Sequence, residues 1–80
     1  MAKRPRHKMP ADVAQAIRVG GVMADYTARP AYQQNDYIGW IARAAEDATR
    51  AKRLAQMIAE LNKGGVYMNM AHAPSRKGRA

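Results

Sequence analysis

Apolar residues recur along this chain at helical spacing. Between Pro10 and Val19, the residues Val13, Ala14, Ala16 and Ile17 fall at i, i+1, i+3 and i+4, which makes one stripe of a helix. Pro10 suits the first turn, where its missing N–H costs nothing, and Asp12 complements the positive end of the helix dipole. Gly20-Gly21 then ends the helix, because glycine enters the left-handed region without a Cβ clash. A short second helix is expected from about Val22 to Ala28, with Val22, Met23 and Tyr26 on one side, and at that length it depends on tertiary packing. Pro30 opens a third helix, running to roughly Ala45, in which Tyr37, Ile38, Trp40, Ile41, Ala44 and Ala45 follow the 3.6-residue period. The pattern resets around Glu46 to Thr49, where Asp47 is expected to act as an N-cap. The fourth helix is read from Ala48 to Asn62 with the stripe Ala51, Leu54, Ala55, Ile58 and Leu61. Arg50, Lys52, Arg53, Glu60 and Lys63 are assigned to its flanks and outer face, and Gly64-Gly65 supplies its stop.

Two helices joined by so short a connection should pack as an antiparallel αα-hairpin, with Tyr37, Trp40 and Ile41 meeting Leu54, Ile58 and Leu61, and Trp40 near the middle of the core. Helices one and two would cover the open side. Val66-Tyr67-Met68-Asn69-Met70 alternates as a strand does, yet one strand has no partner in such a chain. It is read as an extended segment that lays Val66, Met68 or Met70 against the helices, followed by a disordered tail from about Pro74. Its alternative is an edge that pairs with a second chain. The fold class is therefore all-α: a small bundle of about four helices built around an αα-hairpin, with disordered basic termini. The divisions are a flexible basic N-terminal tail over 1–9, a helical domain over 10–66, and an extended segment with a flexible basic C-terminal tail over 67–80.

Eighty residues make one domain at most and bury only about 60% of the surface that the unfolded chain exposes. The absence of cysteine removes disulfides, thiolate metal sites and thiol nucleophiles together, and favours a reducing compartment. Pro10, Asp12, Gln15 and Arg18 interrupt what would otherwise follow the basic start as a secretory signal, and no segment reaches the length of a membrane span. The expected location is the cytoplasm. The net charge of +8 invites a nucleic-acid reading, but Lys3, Arg4, Arg6 and Lys8 precede residue 9 while Arg76, Lys77 and Arg79 follow residue 75. Seven of the eight net charges thus sit at the ends, and the body over 9–75 is left at +1.

Candidate chemistry is sparse. His7 and His72 fall in segments read as mobile, whereas a metal site needs three or four ligands in fixed geometry, so no metal and no cofactor are expected. Glu46-Asp47 is a pair of helix-terminal charges, and general acid–base work needs a cleft that a chain this short hardly provides. The two glycine pairs lack the preceding strand and the Lys-Ser or Lys-Thr sequel of a phosphate loop. Tyr32, Tyr37 and Trp40 near Arg43, Arg50 and Arg53 could form a stacking platform for single-stranded nucleic acid, but helical spacing favours burial of Trp40 and leaves Tyr32 as the more exposed member.

The run Pro30-Ala31-Tyr32, Tyr37-Ile38-Gly39-Trp40-Ile41-Ala42-Arg43-Ala44, Thr49-Arg50-Ala51-Lys52-Arg53-Leu54, Leu61 and Gly64 resembles the C-terminal helical region of the YdeI/OmpD-associated bacteriocin-protection family. Met9 to Ile17 is similar to the helix that precedes it there. Ala44-Ala45 stands where the family has an Ala-Lys pair, and the proline usual in the following turn is replaced around Asp47, so no role of that lysine carries over. The resemblance implies an all-helical protein linked to envelope stress and to protection against bacteriocins or antimicrobial peptides, with an outer-membrane porin as partner and no enzymatic activity.

Thr49, Arg50 and Arg53 are the matched positions with two readings. As structure, Thr49 helps to begin the fourth helix while Arg50 or Arg53 reaches back to Asp36, Glu46 or a carbonyl at the end of the third helix. As function, they form a basic face for an acidic partner. With Tyr32, Tyr67, Met68 and Met70 they make up the candidate partner-binding set of a non-enzymatic protein-binding or regulatory module. The expected partner is an envelope or regulatory protein, and a monomer is expected ahead of a dimer. The competing reading is a nucleic-acid-associated protein whose basic tails bind phosphates.

Overall fold

The computed structural model describes residues 7–77, in the order α1 (Ala11–Gly20), α2 (Met23–Ala28), α3 (Ala31–Ala42), α4 (Asp47–Lys63), β1 (Val66–Tyr67) and β2 (Met70–Ala71), closing on a single 3-10 turn over Ala73–Ser75. The expected all-α bundle is present. α3 and α4 run antiparallel, since Arg50 and Arg53 of early α4 reach the end of α3 while Glu60 of late α4 meets Tyr37 further back along it. α1 and α2 close over the hairpin. The core they share consists of Val13, Ile17, Val22, Tyr26, Tyr37, Ile38, Ile41, Met57 and Leu61.

The helix boundaries follow local chemistry. Gly21 takes φ 68°, and the N–H groups of Gly21 and Val22 bond back to Arg18 O and Ile17 O, closing α1 with a left-handed cap as its glycine pair predicts. α3 stops at Ala42 and not near Ala45. There Ala44 N–H bonds Ile41 O at 3.1 Å, tightening the last turn, and two arginines from α4 take up the freed carbonyls: Arg53 Nη1 donates to Trp40 O at 2.7 Å and Arg50 Nη1 to Ile41 O at 3.4 Å. Asp47 is the first residue of α4 and not its N-cap. Glu46 takes the cap position, accepting Arg50 N–H through its main chain, and Asp47 contributes only its charge to the first turn.

The buried face of α4 differs from the expected stripe. Leu61 is buried and Leu54 and Ile58 are half-buried, but Ala51 and Ala55 are exposed; Met57 and Glu60 complete the inner face in their place. Met57 and Leu61 join Tyr37 and Ile41 in the core cluster and Glu60 bonds Tyr37, so long side chains fill the inner face where alanine would leave space empty. Trp40 correspondingly lies at the margin of the core, half-buried, with the Arg53 guanidinium 5.3 Å from its ring centroid.

The segment after α4 is likewise not a lone extended strand. β1 and β2 form an antiparallel hairpin with Val66 opposite Ala71 and Tyr67 opposite Met70, turned by Met68 and Asn69 at φ 50° and 65°. The chain therefore supplies its own partner strand. Beyond it, in the stretch read as a disordered tail from Pro74, the chain makes a 3-10 turn over Ala73–Ser75 and Lys77 Nζ pairs with Asp25 of α2 at 2.9 Å. Gly64 makes this return possible: at φ 74° its Cα lies so close to the returning chain that an added Cβ would stand 2.7 Å from Ser75 O. The remainder of the two expected flexible tails, 1–6 and 78–80, lies outside the described residues.

The rotated α4 face is open to test by urea unfolding. Met57→Ala should cost about 2–5 kcal/mol, the range for emptying a fully buried large side chain. Ala55→Lys on the exposed side should change stability by no more than about 0.5 kcal/mol. A severe loss from Ala55→Lys would restore the original stripe.

Candidate protein-binding surface

The C-terminal end of α4 carries a polar cluster inside the protein. Glu60 is only 5% exposed, and its carboxylate gathers four donors. Met68 N–H donates to Oε1 and Asn69 N–H to Oε2, both at 2.9 Å; Gln56 Nε2 donates to Oε2 at 3.1 Å, and the Tyr37 hydroxyl donates to Oε1. The main chain of the same residue is bound as well. Glu60 O accepts Gly64 N–H at 2.8 Å and Nη2 of Arg29 at 3.2 Å, while Arg29, 4% exposed, uses Nη1 to hold Gln33 Oε1 at 3.1 Å.

This cluster explains the hairpin. Two successive non-glycine residues at positive φ match a type I′ turn, which usually carries Asn-Gly or a similar pair, and a left-handed methionine costs about 1–2 kcal/mol. Bonds from both turn N–H groups to an ionised carboxylate contribute about 1.5–3 kcal/mol each, enough to offset that strain. The turn is thus held from outside itself. Burial, and then the hydrogen bond to Glu60, raise the Tyr37 hydroxyl well above the usual phenol range.

Over the clamp lies an aromatic and methionine surface. The Tyr67 ring stands edge-on to Tyr37 at 5.3 Å and to Tyr32 at 6.1 Å, and its hydroxyl donates to Asp36 Oδ2 at 2.8 Å. Met70 faces Tyr67 across the hairpin, so the two side chains share one face. Tyr32 is 47% exposed and Met70 59%, while Tyr67 and Met68 are half-buried. Beside Tyr32, a cavity of about 420 Å³ opens between Tyr26, Asn35, Ile38 and His7.

The seven candidate residues therefore separate into two groups. Tyr32, Tyr67, Met68 and Met70 converge at the hairpin end. Thr49, Arg50 and Arg53 sit at the opposite end of the α3–α4 pair, where the arginines are engaged internally. Arg50 Nε bonds Asp12 Oδ2 at 2.7 Å and its Nη2 bonds Asp12 Oδ1 at 3.0 Å, a two-point pair between α4 and α1 that also lowers the Asp12 pKa. Of the expected alternatives for Arg50 and Arg53, the carbonyls at the end of α3 are the acceptors found. The histidines are held as well: His7 N–H donates to Asn35 Oδ1 at 2.7 Å with its ring against Gly39, and His72 Nδ1 lies 2.8 Å from Ser75 Oγ. Among the described residues no three side chains of His, Asp or Glu are grouped to hold a metal, and no helix is long and apolar enough to cross a membrane. The residues that sequence reasoning missed are Arg29, Gln33 and Glu60; the available signal was that Glu60 follows Met57 by three positions and precedes Leu61 by one, which puts it on the edge of the apolar face.

These features define a small helical bundle that presents a clamped surface hairpin. A family model described as OmdA, "Bacteriocin-protection, YdeI or OmpD-Associated", matches residues 6–64, well over half of the 80-residue chain, and the protein belongs to that family. No curated protein and no solved structure matches the chain.

Two titrations follow from the geometry. The folded-state pKa of Tyr37 exceeds the unfolded value of about 10, so its contribution is complete below pH 10 and is lost as the pH rises towards the folded value. Stability should therefore fall on the alkaline side, and Tyr37→Phe should flatten that fall while costing about 1.5–3 kcal/mol at neutral pH. An unchanged alkaline slope in urea titrations would contradict the burial of that hydroxyl. Asp12 has the opposite sign: its contribution is present above the unfolded pKa and disappears as the pH drops through the lower folded one. Carboxyl NMR should show the Asp12 titration returning to the ordinary range in Arg50→Gln; no movement would contradict the pair.

Proposed function

We propose that this chain is a non-enzymatic protein-binding or regulatory module of the bacteriocin-protection type, acting from the cytoplasm in envelope stress or antimicrobial-peptide resistance. It contacts an envelope or regulatory protein, with a porin suggested by the family's OmpD association. The observation that carries this reading is the exposure of Met70 on a hairpin fastened to the core through Glu60, and of Tyr32 at the start of α3, whose ring meets that hairpin through Tyr67. Large apolar side chains on a rigid base lose little freedom on docking, which is what an interface anchor needs. Arg50 and Arg53 serve as internal ties between helices in this reading, so the basic flank of α4 contributes less than the hairpin.

A photo-crosslinking residue placed at Met70, and separately at Ala51 on the exposed side of α4, tests the proposal in cells that express the protein. Adducts with an envelope or regulatory protein are expected from position 70 and not from 51. Absence of adducts, or equal yields from both positions, would refute it. The nucleic-acid reading is checked alongside by titrating labelled DNA and RNA at two salt concentrations, where each phosphate contact adds nearly one unit to the log–log slope. Binding that is weak and independent of salt is the expected result; steep salt dependence would favour the basic tails instead.

A further inference from the structure

The hairpin has one edge turned outwards. His72 N–H bonds Gly65 O at 2.8 Å, which makes Gly65 and His72 a hydrogen-bonded pair and leaves Val66 and Ala71 as the next, non-bonded one. In such a pair the main-chain N–H and C=O point away from the opposite strand. β1 packs against α4. β2 is therefore the outer strand, and among the described residues neither the N–H nor the C=O of Ala71 finds a partner, although Ala71 is exposed. An outward donor and acceptor on one residue form the smallest unit on which an extended chain can add a strand.

The exposed charges beside the base of the hairpin are cations. Asp25 is paired with Lys77, Asp36 accepts from Tyr67, and Glu60 is buried under four donors. The nearby cations are not consumed in this way. Lys63 ends α4, and Arg76 packs alongside Gly65, its Cγ 3.5 Å from where a Cβ would stand; both are exposed, and neither meets a carboxylate among the described residues. Met70, adjacent on the same strand, supplies the apolar anchor.

Resting on the protein-binding reading above, we infer that β2 is a docking edge for an extended, acidic segment of a partner protein. The segment adds beside Ala71 through main-chain bonds, sets an apolar side chain against Met70 and Tyr32, and places carboxylates towards Lys63 and Arg76. Main-chain bonding supplies affinity that is indifferent to sequence, while the methionine and the two cations set the preference for alternating apolar and acidic residues.

Display selection of random linear peptides on the full-length chain tests this directly. Enriched sequences should alternate β-branched or aromatic residues with Asp or Glu. A synthetic copy of the most enriched one should shift the Ala71 amide in ¹⁵N NMR spectra and slow its hydrogen exchange. Its affinity should drop at least about tenfold for Met70→Ala, the loss typical of an interface anchor. Arg76→Glu should weaken binding and remove its salt dependence, with circular dichroism confirming that both variants keep the helical fold. No enrichment, enrichment of neutral or basic peptides, or shifts centred on Arg43 and Lys52 at the far end would overturn the inference. So would tighter binding of a single-stranded oligonucleotide at the same residues. Should crosslinking at Met70 succeed while the selection fails, the partner docks as a folded surface: the protein-binding reading then stands and the strand-addition edge falls.

Discussion

The carboxylate of Glu60 is the point at which the parts of this small structure meet. It joins α4 to α3 through Tyr37 and to the C-terminal hairpin through two consecutive main-chain N–H groups, while its own carbonyl receives Arg29 from the link between α2 and α3. A buried charge is costly unless its lone pairs are filled, and here four donors fill them. Such a group contributes geometry more than net stability. An apolar side chain at position 60 could pack as well against α3, but it could not hold Met68 and Asn69 in the left-handed region. The hairpin, and with it the position of Tyr67 and Met70, is fixed by electrostatics and not by the intrinsic preference of its own turn.

That division of labour separates the two ends of the α3–α4 pair. At one end, Arg50 and Arg53 bind the closing carbonyls of α3, and Arg50 also ties Asp12 of α1, so positive charge is spent on fastening helices. At the other, polar groups are spent inside the protein and apolar ones are displayed. A bundle of this size has little core with which to position a surface loop. Using one buried carboxylate as a peg for a turn achieves the positioning with few residues.

The helices were legible in the sequence because their signals are local: the 3.6-residue periodicity of Val13 to Ile17 and Tyr37 to Ile41, and the glycine pairs at 20–21 and 64–65. The family kinship was legible for a related reason, since the Tyr-Ile-Gly-Trp-Ile turn and the Thr-Arg-Ala-Lys-Arg start that carry the resemblance lie in α3 and α4, within the matched span. What was not legible depends on contacts between distant residues. Glu60 reads as an outer-face charge until Tyr37 and Met68 are brought to it, and Met68-Asn69 carries no hairpin signature because the stabilising group lies eight residues upstream. Trp40 has the hydropathy of a core residue, yet Arg53 from the neighbouring helix offers its ring a partner at the surface. Of the candidate surface, Tyr32, Tyr67, Met68 and Met70 were identifiable singly as large residues near turns. Their convergence required the hairpin register.

Amide hydrogen exchange measures the role of Glu60 most directly. In the native chain the amides of Met68 and Asn69 should be protected, although they lie in a two-residue turn near the surface. In Glu60→Ala they should exchange at close to unprotected rates, while the amides in the middle of α3 and α4 keep their protection. Equal protection of Met68 and Asn69 in both proteins would mean that the turn holds itself, and the account of the hairpin as a clamped binding element would fail.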